Sequence, residues 1–473
     1  MQLNIPSDPK IQQLHDWIDR HAEEMIEALQ GVLRIPSLEA PPAGVNAPFG
    51  ADVRRSLDYT LDLCAKLGFR TKDVAGYAGH AEFGEGAEMV AGLGHLDVVP
   101  EGDGWRHEPY GAEIDEGFIY ARGSADDKGP TYAALFGAKA LMDCGLPLKR
   151  RVRLVFGCNE ESGFQCVHHY WEVAKEERPV YAFTPDAGFP LVYAEKGIVD
   201  LVFEKPLPVP GDLRIDNMAG GRRPNMVPDY AEARLSGSQE AQLIAIRRLK
   251  RFWDKNMTFE VTDTGLVARA YGKSAHGSTP ANGDNAVARL ARALQTLDLP
   301  DSEAWLNFVA TTVDPTGAAL GIAHTDDVAG PLTSNLGILS FTEQGTVRLT
   351  FNIRYPVTWN LEALLAVNSP VLEENGWTLA ETRHQPPLYV PLDEEPVKTL
   401  LKVYREATGD NESQPGTMGG GTYARATPHA VAYGAGFPDS SDGPAHEPDE
   451  RFAIETYLNA AKIYAQAFYE LAK

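Results

Sequence analysis

Several apolar runs in this 473-residue chain stop abruptly at acids or histidines. Val90-Ala-Gly-Leu-Gly ends at His95 and Asp97, Leu154-Val-Phe-Gly-Cys at Glu160-Glu161, and Phe183-Thr-Pro at Asp186. Hydrophobic runs of this length, bounded by Gly and Pro, read as strands buried on both faces, the pattern of a parallel sheet. Ligands of open α/β sheets bind beyond the carboxyl ends of the strands, so polar residues placed there converge on one spot. The same residue types recur in Gly123-Ser-Ala-Asp126-Asp127-Lys-Gly129 and in Ala445-His446-Glu447. Two histidines, three carboxylates and a spare glutamate suit a pair of metal ions with a hydrolytic base beside them.

The rest of the chain separates into blocks. Residues 11–33 carry apolar positions at helical spacing and predict one amphipathic helix. Further helices are predicted near Ser56–Leu67, closed by Gly68, and over Lys128–Cys144, which opens near Pro130 and meets Gly145. Strands at Arg151–Phe156 and Val180–Phe183 complete a βαβ-type series. Pro206–Asp212 reads as a loop, and beyond it strands alternate, as in a sheet covered on one face. The clearest sets Val347, Leu349, Phe351 and Ile353 inward against Arg348, Thr350, Asn352 and Arg354. A stripe of Val287, Leu290, Leu294 and Leu297 predicts a helix against that sheet. Helices over Val397–Ala407 and Ile454–Leu471 return the chain to the first block. The expected fold class is α/β: a mostly parallel-sheet catalytic domain from 1–195 and 386–473, interrupted by an inserted α+β lid domain at 196–385.

Charge and cysteine usage exclude some functions. The formal charge of −23 disfavours nucleic-acid and anionic-membrane partners. Cys64, Cys144, Cys158 and Cys166 form no C-x-x-C pair, which fits a reducing cytoplasm. No basic region followed by an apolar stretch opens the chain, and no run approaches the length that spans a bilayer.

Each polar group has an ordinary reading beside the chemical one. Asp97, two residues after His95 on the same face of an extended segment, is placed to accept the imidazole N–H and fix the tautomer. Asp126-Asp127 is more acid than a helix cap needs, so one can bridge cations while the other holds the turn. Glu160-Glu161 at a buried strand end repel each other unless a cation compensates; one can ligate while the other acts as base. Cys158 reads as a buried structural thiol. His446 among Glu447, Asp449 and Glu450 has a surface reading. In the middle block, His276 between small residues can donate to an oxyanion, and Arg354 can clamp a carboxylate; solvent-facing roles are the ordinary alternatives. Asn225 follows a turn-rich loop, and Gly419-Gly420-Gly421-Thr422 suits close backbone approach to a substrate.

These motifs resemble, in order and over nearly the whole chain, the dinuclear zinc aminoacylase, carboxypeptidase and dipeptidase superfamily, and within it the PepV-like bacterial dipeptidases. The superfamily likeness rests on Gly94-His95-Leu-Asp97, Arg122 to Pro130, Asn159-Glu160-Glu161, Pro185-Asp186, Ser274-Ala-His276 and His446-Glu447. The narrower likeness rests on Asn225 to Pro228, Leu320 to Asp327, Asn352 to Pro356 and Gly419 to Tyr423. The resemblance implies that Asp126 bridges two ions, Zn2+ or alternatively Mn2+ or Co2+, with His95 and Asp186 on one and Glu161 and His446 on the other. It implies Glu160 as base, Asp97 as orienting residue, and His276 as oxyanion donor. Asn225 and Arg354 would grip a terminal carboxylate, with Gly420 and Thr422 also at the substrate. The implied enzyme is a monomeric, metal-dependent hydrolase of dipeptides. An N-acyl-amino-acid deacylase with the same centre is the alternative enzyme, and a non-catalytic metal-binding protein the alternative class.

Overall fold

The structure, a computed structural model, describes residues 2–207, 211–252, 254–263, 265–297, 299 and 302–473. The chain divides into two compact units, one of residues 1–194, 389–417 and 421–473, the other of 195–388 and 418–420. The loop expected over Pro206–Asp212 falls partly on residues 208–210, outside the described residues.

The first unit is organised by a mixed sheet whose centre is parallel. Six of its strands run in the order Arg70–Val74, Ala78–Phe83, Arg151–Gly157, Met89–His95, Tyr181–Thr184 and Ala430–Ala432. Met89–His95 lies parallel to both neighbours and every one of its residues is buried. This is why its sequence is apolar throughout rather than alternating. The register sets His95 opposite Gly157 and Gly92 opposite Phe183, so three strands end together. The outer hairpin, Arg70–Val74 with Ala78–Phe83, is antiparallel.

The helix over Lys128–Cys144 ends where Gly145 turns left-handed, as its sequence predicts. It packs against Ile454–Ala472 and behind Met89–His95. The single helix expected over 11–33 is instead two, Pro9–Arg20 and Ala22–Leu33. His21 breaks it. Its ring stacks on Trp17 at 3.8 Å and its Nδ1 lies 2.7 Å from the Trp17 carbonyl, closing the first helix as a cap.

The second unit holds an eight-stranded sheet in the order Met257–Thr262, Gly265–Tyr271, Tyr230–Ser236, Arg214–Gly220, Thr333–Phe341, Thr346–Tyr355, Gly197–Pro206 and Thr378–Gln385. The strand pairs are antiparallel. One face is apolar: Val347, Leu349, Phe351 and Ile353 join Val287, Leu290 and Leu294 of the helix Ala286–Leu294 in a continuous core. The opposite face departs from simple alternation. Arg348 and Thr350 are half-buried, but Asn352 and Arg354 further along the same strand are buried.

Candidate metal centre

The strand ends place the polar residues. His95 closes Met89–His95, Glu160 and Glu161 follow Arg151–Gly157 by three and four residues, and Asp186 follows Tyr181–Thr184 by two. Gly94 is required beside His95, because a Cβ there would lie 1.8 Å from Thr131 Oγ1. Asp126 sits in the turn before Lys128–Cys144. Its neighbour Asp127 accepts from the His95 amide (3.1 Å) and from Thr131 Oγ1 (2.8 Å), tying that turn to the strand end.

Two histidines flank one carboxylate. His95 Nε2 is 3.1 Å from Asp126 Oδ1 and 4.0 Å from Asp186 Oδ2. His446 Nε2 is 3.1 Å from Asp126 Oδ2 and 2.9 Å from Glu161 Oε1. The donor atoms fall into two triads, His95–Asp126–Asp186 and Asp126–Glu161–His446, each within 4.8 Å of one another. Asp126 belongs to both and turns one oxygen toward each. His446 holds a left-handed backbone, φ 66°, which is unfavourable for a residue with a side chain and is characteristic of functional positions.

The electrostatics fit cations. Burial, reinforced by neighbouring carboxylates, pushes Glu160 and Asp186 well above the usual carboxylate range, and Glu161 is raised in the same way. Partial burial opposes charge on the half-exposed His446, but its bonds to Asp126 and Glu161 carry it up to about 10. Glu160 Oε1 is buried without a hydrogen-bond partner. Two divalent ions would balance the carboxylates of Asp126, Glu160, Glu161 and Asp186. Oxygen and imidazole donors suit Zn2+, Mn2+ and Co2+ alike. The residues therefore fit a dinuclear site.

Asp97 differs in detail from its sequence expectation. The His95 Nδ1 lies 2.9 Å from the Asp97 backbone carbonyl, while the carboxylate is 3.6 Å away. The carboxylate instead accepts the backbone amides of Glu160 (3.0 Å) and Glu161 (3.1 Å). It orients the glutamate loop more directly than the imidazole. Cys158 is a buried free thiol outside both triads.

Sequence reasoning passed over Glu450. It is fully buried, pairs with Arg122 at 2.5 Å and accepts the backbone amides of Ala125 (2.9 Å) and Asp126 (3.2 Å). It thereby fastens the loop carrying His446 to the turn carrying Asp126. The signal available was Arg122: an arginine beside a buried turn requires a counter-charge. Lys128, likewise buried, donates to the carbonyls of Val32 (3.2 Å) and Ile35 (2.8 Å) at the end of Ala22–Leu33.

Of the residues expected at the substrate, all but Thr422 belong to the second unit: Asn225, His276, Arg354 and Gly420. There Gly277 N donates to Asn225 O at 2.7 Å, and Arg354 Nη1 donates to Gly419 O at 3.0 Å. Thr422 belongs to the first unit, where it is buried and its hydroxyl accepts from Ala424 N at 3.2 Å, a capping duty.

The sequence from residue 92 to residue 470 matches the model of peptidase family M20/M25/M40. The chain belongs to that family. It is a hydrolase, and the superfamily resemblance read from its motifs holds. A Bacillus subtilis relative, "Putative dipeptidase YtjP", is 40% identical over 462 residues, covering 96% of this chain and 98% of its own. Among solved structures, human carnosine dipeptidase 1 superposes with a TM-score of 0.58 at 17% identity, covering 98% of this chain and 99% of that one. The Saccharomyces cerevisiae di-peptidase Dug1p does so at 0.56 and 14% identity, with 98% and 99% coverage. At those identities the structural likenesses bear on the fold alone.

Proposed function

We propose that this chain is a dinuclear metal-dependent dipeptidase, acting on dipeptides with free amino and carboxyl termini. The observation that carries the reading is the Asp126 carboxylate between two imidazoles, with the buried, unpartnered Oε1 of Glu160 close by. In this reading His95, Asp126 and Asp186 hold one ion, and Asp126, Glu161 and His446 the other. The bound ions supply Lewis acidity, polarising the scissile carbonyl and acidifying water.

The protein's own residues do the rest. Glu160 takes the proton of the attacking water on its carboxylate and returns it to the leaving amine. Its buried setting favours the protonated form between those two events. Asp97 holds the backbone of Glu160 and Glu161 in place while the charge on Glu160 changes. In the second unit His276 Nδ1 lies 2.7 Å from Ser278 Oγ and 3.3 Å from Ser278 N; a ring that accepts from Ser278 carries its proton on Nε2, the donor an oxyanion requires. Arg354 and Asn225 are assigned to the substrate's carboxylate, and Gly420 and Thr422 to close approach of the protein backbone to the substrate.

The relatives support the substrate class by their printed names. The four cysteines are free, which supports a cytoplasmic, reducing setting, and among the described residues no helix is long and apolar enough to cross a membrane. A self-sufficient monomer is part of the proposal. The test is a panel of one dipeptide, its N-acetyl form, its amide and a matched tetrapeptide, assayed with Zn2+ and Mn2+ at a measured mass in solution. Preferred cleavage of the free dipeptide is expected. Preference for the N-acetyl form would make the enzyme a deacylase, and comparable kcat/KM on the tetrapeptide would overturn the dipeptide limit.

A further inference from the structure

The second unit contains a polar row that alternation alone does not explain. The registers of Gly197–Pro206, Thr346–Tyr355 and Thr333–Phe341 set Asp200, Asn352 and Asn335 directly opposite one another across three adjacent strands. Residues directly opposed share a face. Asn335 is 2% exposed and Asn352 3%, although most of the neighbouring residues on that face are half-exposed. Burying amides is costly unless each finds partners, and these do so in a specific direction.

Asn352 Nδ2 donates to Asp200 Oδ1 at 2.6 Å. A carboxylate only accepts, so the amide nitrogen must face Asp200, and Asn352 Oδ1 is turned the other way. There it accepts from Arg354 Nε at 2.9 Å. Asn335 Nδ2 donates to the carbonyls of Pro224 (2.8 Å) and Met226 (3.0 Å), on either side of Asn225. The His276 segment is seated on the same row. It pairs with Met226, and a Cβ on Gly277 would lie 2.9 Å from Asn352 Oδ1. One row of three side chains therefore sets the positions of Asn225, His276 and Arg354.

The order of the row has an electrostatic consequence. Asn352 stands between the Asp200 carboxylate and the Arg354 guanidinium. A carboxylate at position 352 would bond Arg354 directly and compete with a carboxylate arriving on a ligand. The amide orients the guanidinium while adding no counter-charge of its own.

We propose that Asp200, Asn352 and Asn335 are the positioning residues of the carboxylate-recognition trio, and that the neutral amide at 352 determines the preference for substrates with a free carboxyl group. The proposal rests on the reading of Arg354 as a carboxylate clamp.

The test exchanges the first two members. The double variant Asp200→Asn/Asn352→Asp keeps the residue types, the net charge and a hydrogen bond between the two positions, but moves the carboxylate onto Arg354. KM for a dipeptide should rise about tenfold or more, as expected for losing charge-assisted bonds. KM for the dipeptide amide should change little, and kcat on the amide should be retained. An unchanged dipeptide-to-amide ratio, or equal losses on both substrates, would reduce the row to structural support and overturn the proposal. Asp200→Ala, at the half-buried end of the row, is the second variant should the exchange not fold. It should narrow the same ratio severalfold, and an unaltered ratio overturns the proposal equally. Arg354→Ala separates the two levels. If it leaves the ratio intact, the clamp itself is wrong and the positioning role falls with it. If it collapses the ratio while the row variants do not, only the positioning role fails.

Discussion

Replacing Asp97 by Asn tests how the glutamate loop is held. The Asp97 carboxylate accepts two backbone amides, Glu160 N at 3.0 Å and Glu161 N at 3.1 Å. An asparagine keeps one acceptor oxygen and turns an NH2 group toward the second amide, so one charge-assisted bond is lost and a loop N–H is left facing a donor. Bonds to charged acceptors contribute about 1.5–3 kcal/mol. If that loss is felt where Glu160 meets its water, kcat falls about 10- to 100-fold, at roughly 1.4 kcal/mol per tenfold. The partner of His95 Nδ1 is the Asp97 main-chain carbonyl at 2.9 Å, which the substitution retains. Metal content should therefore stay near wild type. Steady-state kinetics and elemental analysis on one preparation decide the matter. Loss of one metal with kcat preserved in the metal-replete protein would show that the carboxylate acts through His95 instead. A kcat within about twofold, with full metal, would refute the bracing of the loop.

Glu160→Gln should lower kcat by about 10²–10⁴-fold while metal content is unchanged; loss of a metal in this variant but not in Glu161→Gln would mean the two glutamates have exchanged roles. Chelation should abolish hydrolysis and lower Tm by calorimetry, because the clustered carboxylates lose their counter-charge, and divalent ion should restore both. A metal-free protein with full activity would end the dinuclear reading.

A pH effect is expected from two histidines outside both ligand triads. Burial, aided by Lys462 against Asp16 and Asp19, lowers His15 to about 4. Burial, with Arg153 and Lys72 against Glu176 and Glu82, lowers His80 to about 4. A folded-state value below the unfolded value of about 6.5 means that stability is fully present above pH 6.5 and is lost as pH falls toward 4. Each costs about 2 kcal/mol between pH 7 and pH 5. Urea unfolding of His15→Gln and His80→Gln at the two pH values should show that much less loss than wild type, and equal losses would contradict the assignment.

The reach of the sequence differed between the two units. Val90–Gly94, Leu154–Cys158 and the run before Asp186 are apolar because their strands are covered on both faces, and the acids and histidines that end them are polar because the sheet stops there. That contrast is local, so the parallel centre of the sheet, the candidate ligands His95, Asp126, Glu161 and Asp186 and the candidate base Glu160 could all be picked out from residue order. His446 required the motif rather than its surroundings, since Glu447, Asp449 and Glu450 look like a solvated surface. Its left-handed backbone and the burial of Glu450 come from a loop closing onto a turn more than 300 residues earlier in the chain.

Chain order dictated the alternating strands, the αL glycine stops and the residue types able to hold cations or move a proton. Packing decided where each polar group is directed. Hydrogen-bond direction is a property of the partner, and the partners are remote in sequence: Asp97 reaches the amides of Glu160 and Glu161, Glu450 those of Ala125 and Asp126, and Asp200 turns Asn352 toward Arg354. Periodicity records which face of an element is apolar. It does not record that the polar face of Thr346–Tyr355 becomes buried at Asn352 and Arg354, because that burial is made by residues from other strands and loops meeting there.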